Sequence, residues 1–289
     1  MKLALCIGIN DYPGTENDLA GCRNDAEDWA AALSARGFAI DSLIDGAATG
    51  EAIRAGIRHL LTTATSGDTV VITYSGHGTW VPDTGGDEPD HRDEALCPHD
   101  IAENGPLLDD DLHDLFARSG PGVRTVLISD SCHSGTLTRL NRPLGDHPTR
   151  TRFLPPATFL TPQDRRRAST IDTHLPPRRH TAATPRLHTA VTGAGPHRVP
   201  DRPRPADHRP TALLLAGCAD TEYAYDATFN GRPNGAFTYV ALSALAGLPQ
   251  SATYRDWIEA IRVSLPSQDY PQTPSLAATH LQLAWPLLA

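Results

Sequence analysis

Apolar and polar positions along this chain fall into two kinds of block. Short apolar runs at residues 3–9, 39–43, 69–74, 123–128 and 212–216 have the length and β-branched content of strands covered on both faces. Between them lie stretches with helical spacing. Residues 24–36 place Ala26, Trp29, Ala30 and Leu33 on one face, and Gly37 follows where a helix C-cap falls. Residues 50–64, 109–118, 235–246 and 254–265 read as further helices, and 280–284 as a last strand. Strands alternating with helices predict a three-layer α/β/α sandwich around a mostly parallel, six-stranded sheet. No internal repeat is present.

Two of these strands end oddly. The run at 123–128 stops at Ser-Asp-Ser-Cys-His-Ser-Gly, which delivers Cys132 among small polar residues. Most free cysteines are small core hydrophobes, and Cys6 in LALCIGI and Cys218 in LLLAGC fit that description. The surroundings of Cys132 are no core, and the carboxyl edge of a parallel sheet is where open α/β folds place ligands. The strand at 69–74 ends in Ser-Gly-His-Gly and delivers His77 to the same edge. An imidazole beside a thiol can take its proton and leave the thiolate, which is the nucleophile. Gly76 and Gly78 allow close backbone approach, and the Gly78 N–H can face a developing oxyanion.

Charge divides the chain further. The net charge is −9, yet residues 139–210 hold 14 Arg against 5 Asp, a charge of +9 that leaves −18 on the rest. This Pro-, His- and Thr-rich segment has no sustained periodicity, so a disordered insertion is expected there. It would separate a first half at 1–138 from a second at 211–289 that completes the same domain. The insertion holds only two aromatics, Phe153 and Phe159, and interrupts an acidic body, which argues against nucleic-acid binding. Five scattered cysteines argue for a reducing cytoplasm over a disulfide framework. No run reaches the length of a membrane helix, and the opening MKLALCIGIN reads as a strand rather than a leader. Lys2 is the single lysine, and with abundant Ala and Pro this fits a GC-rich bacterial genome.

Taken together, ALCIGINDYPG, LAGCRNDA, YSGHG, GDEPDHRDEALCPHD, DSCHSGT, LLLAGCADTEYAYD, NGAFTYVALSAL and YPQTPSL resemble, in order, the motifs of the caspase-like cysteine peptidases, and among them the metacaspases. The histidine lies 55 residues before the cysteine. The resemblance implies a caspase-like fold and a cysteine endopeptidase with Cys132 as nucleophile and His77 as acid/base. It implies an oxyanion hole from the Gly78 and Cys132 N–H groups. It also implies an acidic pocket at Cys22, Asp25, Ser75 and Asp130 for the basic residue before the cut (P1). Carboxylates suit a guanidinium through charge-assisted bidentate bonds, so protein or peptide substrates with Arg or Lys at P1 are expected.

The family's calcium ligands match Asp93, Asp109 and Asp110, and oxygen ligands suit Ca2+. A further family ligand falls on Arg139, whose charge opposes the ion. Two other readings stay open. Cys132 followed by Arg139 resembles a phosphatase loop at the wrong spacing, and the clan also includes silent scaffolds. The basic insertion is expected to restrain the acidic cleft until it is cut near Arg165–Arg167 or Arg178–Arg179, by this peptidase or by an activating one.

Overall fold

The computed structural model describes residues 1–83, 91–132, 149–174, 211–219 and 222–289. Its central sheet has six strands: β1 (Lys2–Gly8), β2 (Ala39–Ile44), β3 (Thr69–Ser75), β4 (Arg124–Asp130), β5 (Leu213–Ala216) and β6 (Ser275–Ala277). Their spatial order is β6-β5-β4-β3-β1-β2, parallel throughout except for β6, which runs antiparallel to β5. The expected three-layer architecture is therefore present. Strands from before and after the basic segment share this one sheet.

The two-residue period of the strands feeds a core on each face. Leu5, Ile7, Val70, Ile72 and Leu127 point into one layer, where they meet Ile53, Ile57 and Leu60 of α2 (Gly50–Thr63) and Leu112 and Phe116 of α3 (Asp109–Phe116). Ala4, Cys6, Val71, Val126 and Ile128 point the other way. There they meet Trp29 and Leu33 of α1 (Cys22–Ser34), Phe237 and Ala241 of Ala236–Gly247, and Trp257 and Ile261 of Tyr254–Ile261. The Trp29 and Trp257 rings meet edge to face at 5.9 Å. All seven β3 residues are buried, which explains its unbroken apolar run.

Three expectations change. Residues His280–Leu283 form a short helix, and the last strand lies earlier, at Ser275–Ala277. The reason is a capping box: the Thr279 hydroxyl accepts from the Gln282 N–H while the Gln282 side chain accepts from the Thr279 N–H. Second, two short hairpins have no counterpart in the sequence reading: Gly78–Pro82 with Arg92–Leu96, and Tyr225–Phe229 with Arg232–Gly235. Third, part of the expected disordered insertion is built. Residues Arg150–Thr151 form a strand and Pro162–His174 a helix. Residues 139–148 and 175–210, including Arg139, Arg178 and Arg179, lie outside the described residues.

Candidate active site

Strands β3 and β4 are neighbours with Ser75 opposite Asp130, so both chains leave the sheet side by side at its carboxyl edge. Two residues on, the chains carry His77 and Cys132. His77 is held from several sides. Its N–H donates to the Tyr12 hydroxyl at 2.9 Å and its carbonyl accepts from the Tyr74 hydroxyl at 2.7 Å. Its ring lies 4.6 Å from the Tyr12 ring. The ring nitrogen Nε2 sits 2.7 Å from the Asn17 carbonyl, which only accepts, so Nε2 carries the proton. That tautomer leaves a lone pair on Nδ1, which is buried without a hydrogen-bond partner. Burial pushes the His77 pKa down to about 4, against the upward pull of the Asn17 carbonyl.

Cys132 is fully buried, and its Sγ accepts from the Ala224 N–H at 2.7 Å. Its own N–H donates to the Arg152 carbonyl at 3.2 Å, and the Gly78 N–H donates to that same oxygen at 3.0 Å. Two amides, one opening the strand Gly78–Pro82 and one two residues past the end of β4, thus converge on one carbonyl oxygen, as an oxyanion hole requires. The closeness of the two backbones dictates glycine at 78, because a Cβ there would overlap the Cys132 carbonyl oxygen.

The side chain of Arg152 runs from that carbonyl into a fully buried acidic pocket. Its guanidinium donates to Asp25 at 2.6 Å and to Asp226 at 3.0 Å, and lies 3.1 Å from both the Asp130 carboxylate and the Asp130 carbonyl. Each carboxylate is fixed from behind. Asp25 accepts from the Gly235 N–H at 2.9 Å and the Asn234 amide at 3.0 Å. Asp226 accepts from the Ala20 and Gly21 N–H groups at 2.8 and 3.0 Å. Asp130 accepts from the Thr238 N–H and hydroxyl at 2.9 and 2.8 Å. A Cβ at Gly235 would overlap Asp130, so glycine is dictated there as well. Three carboxylates facing one cation leave excess negative charge. Burial raises the Asp25 pKa to about 6, the guanidinium opposes that shift, and the neighbouring Asp130 adds to it.

Of the residues expected in this pocket, Asp25 and Asp130 touch the guanidinium directly. Cys22 opens α1 one turn before Asp25, and burial pushes its thiol well up, so it stands as a neutral wall. Ser75 is buried at the end of β3 with its hydroxyl lacking a hydrogen-bond partner. Asp226, Asn234, Asn17 and Arg152 were missed. Among the 14 Arg of residues 139–210, Arg152 alone precedes two large apolar side chains, Phe153 and Leu154, a signal that could have singled it out. Asp93 lies in the strand Arg92–Leu96, while Asp109 and Asp110 open α3. Among the described residues no group of three or more His, Cys, Asp or Glu side chains is placed to hold a metal ion. Asp93, Asp109 and Asp110 form no such group among the described residues, and Arg139 lies outside them. No helix among the described residues is long and apolar enough to cross a membrane.

A family model described as Peptidase C14, caspase domain, matches residues 1–284. Metacaspase-1 of Cryptococcus neoformans is 33% identical over 298 residues, covering 96% of this chain and 62% of the relative. Metacaspase-4 of Arabidopsis thaliana is 44% identical over 146 residues, covering 47% of this chain and 34% of the relative. The chain thus spans less than two thirds of the length of these two relatives. A solved Geobacter sulfurreducens protein superposes with a TM-score of 0.65 at 30% identity, covering 98% of this chain and 96% of that one. Caspase-1 of Spodoptera frugiperda, at 12% identity and a TM-score of 0.51, shares the fold over 96% of this chain and 85% of its own.

Proposed function

The chain belongs to the caspase-domain family of C14 peptidases, and on that footing we propose that it is a cysteine endopeptidase cutting protein chains after Arg. The observation that carries this reading is the Arg152 guanidinium held by Asp25, Asp130 and Asp226 while its carbonyl faces the Gly78 and Cys132 amides. A pocket of three carboxylates repels Asp and Glu at P1 and pairs with a planar cation. Lys, a point charge on a slimmer stem, is accepted less well than Arg.

In the proposed reaction His77 Nδ1 takes the Cys132 proton, and the thiolate adds to the P1 carbonyl carbon. The oxyanion settles between the two amides. His77 then returns the proton to the leaving amine, and the Asn17 carbonyl keeps the ring in the required tautomer throughout. Water, deprotonated by His77, hydrolyses the thioester. Processing within the segment 139–210 regulates the enzyme, by its own action or by that of an activating protease. All five cysteines are free, which suits a reducing cytoplasmic location. The test combines a thiol-directed covalent probe with a protein digest sorted by P1 residue. Labelling and cutting after Arg should occur in the wild type and vanish in Cys132→Ala. A labelled protein that cuts nothing would leave only a binding scaffold.

A further inference from the structure

Cys218 is buried, as its apolar setting predicts, but it is buried at the active-site edge. It follows β5, and the Gly217 N–H donates to the Ser129 carbonyl at 2.8 Å, which carries the pairing of β4 with β5 beyond Ala216. Cys218 thereby stands beside Ser131, and its thiol donates to the Ser131 carbonyl at 3.4 Å. Cys22 and Cys97 belong to one core layer and Cys6 to the other. Cys218 instead packs with Cys132 and Ala224 in a small cluster of its own, against which Phe153 and Tyr223 rest. The two thiols are hydrogen-bonded to each other, and that bond together with burial pushes the Cys218 thiol well up, so it stays protonated. Neighbouring strands lie ~4.8 Å apart, within the ~4.4–6.8 Å between Cα atoms that a disulfide spans.

We infer that Cys132 and Cys218 form a reversible disulfide when a hydroperoxide oxidises Cys132, with Cys218 as the resolving thiol. The pairing rests on the packing of the two side chains, and its effect on activity rests on the peptidase reading above. The thiolate left when His77 takes the Cys132 proton attacks one peroxide oxygen. The O–O bond breaks, Cys132 becomes a sulfenic acid, and the other oxygen leaves as hydroxide, which the His77 proton converts to water. The Cys218 sulfur then attacks the Cys132 sulfur. The S–O bond breaks, and the hydroxyl departs with the Cys218 proton as a second water. Two thiols have lost two electrons, and the peroxide has gained them. Because the resolving thiol is already in contact, this second step outruns further oxidation to the irreversible sulfinic acid. The disulfide removes the nucleophile, and a dithiol reductant restores it.

The test treats the reduced full chain with hydrogen peroxide, alkylates the remaining thiols in denaturant, and maps the peptides without reduction. The peptide holding Cys132 should appear joined to the one holding Cys218, two hydrogens lighter than the separate pair, while Cys6, Cys22 and Cys97 are alkylated. The rate of linkage should not depend on protein concentration. Hydrolysis of an Arg peptide should fall at least ~tenfold and return to within ~twofold of its starting rate with dithiothreitol. Under the same dose Cys218→Ser and Cys218→Ala should carry sulfinic acid at Cys132, and dithiothreitol should not restore their activity. The wild-type map stands whether or not either variant folds. Sulfinic acid or an unreacted thiol at Cys132 of the wild type, or a disulfide from Cys132 to any other cysteine, overturns the inference and leaves the peptidase reading standing. A Cys132–Cys218 link in a chain that hydrolyses no peptide before oxidation upholds the inference and overturns the peptidase reading.

Discussion

Two regions meet over the same cleft, and they came to their places by different physical routes. The edge that carries His77 and Cys132 is set by local sequence: β3 and β4 are buried on both faces, so their apolar runs fix where each strand ends. The strand at Arg150–Thr151 has no such support. Its flanks are rich in Arg, Pro and Thr, and its order comes from the three carboxylates and the backbone groups it meets. Local composition reports whether a segment can fold by itself. It does not report whether a preformed cleft elsewhere in the chain will order it.

That contrast can be pressed by experiment. The largest effect should come from the locally specified edge. Cys132→Ala and His77→Ala should each lower kcat/KM on an Arg peptide by at least ~1,000-fold with unchanged circular dichroism. Activity within tenfold of wild type in either variant would remove it from the catalytic pair. Next comes the pocket that the segment occupies. Asp226→Ala should weaken cleavage after Arg by about 2–4 kcal/mol in transition-state terms, as Asp25→Ala should, because each leaves a buried guanidinium short of a partner. Steady-state kinetics on one peptide read both. A neutral result at Asp226 would detach the second half of the chain from specificity.

A smaller effect should appear beyond the cut. Phe153 and Leu154 fill an apolar prime side, so Arg152→Ala should favour peptides with Phe-Leu after the Arg over Asp-Asp by about 1–3 kcal/mol. Equal rates for the two peptides would show that the prime side is occupied without being selective.

The pH response should be smaller still, because two groups oppose each other. His77 has a folded pKa of about 4 against an ordinary 6.5. As pH falls from about 6.5 to 4 the unfolded chain takes a proton that the folded chain refuses, so stability falls. Asp25, at about 6 against an ordinary 3.8, does the reverse: the folded chain takes the proton first and stability rises as pH falls through that window. In an uncuttable Cys132→Ala background, adding Asp25→Asn should expose the His77 slope. The melting temperature should then drop more steeply between pH 6.5 and 4, and parallel curves would count against the pairing. The smallest effect belongs to the exposed arginines. Arg166→Ala should alter stability by no more than about 0.5 kcal/mol and leave kcat/KM on an Arg peptide unchanged.

Much of the site was readable in advance because it hangs on strand ends. Adjacent parallel strands finishing in Ser-Gly-His-Gly and Asp-Ser-Cys imply a shared edge, and the structure pairs Ser75 with Asp130 there. Asp25 was accessible through the family motif. What stayed hidden depends on backbone or on distant chain. The Asn17 carbonyl that sets the His77 tautomer is invisible to any search by side-chain type. Asp226 sits 74 residues from Arg152 and belongs to a short hairpin with little pattern of its own. The terminal helix was mistaken for a strand because Leu281 and Leu283 alternate, while Thr279 and Gln282 carried the overlooked helix-start signal.

On the proposed function, charge sets specificity: three carboxylates beside Cys132 should select a cation at P1. The most direct measurement is kcat/KM for two peptides identical except for Arg or Asp at P1, taken with the Arg152→Ala chain so that the cleft is open. The account predicts cleavage after Arg alone, with Asp disfavoured by at least ~1,000-fold. Equal or faster cleavage after Asp would contradict it.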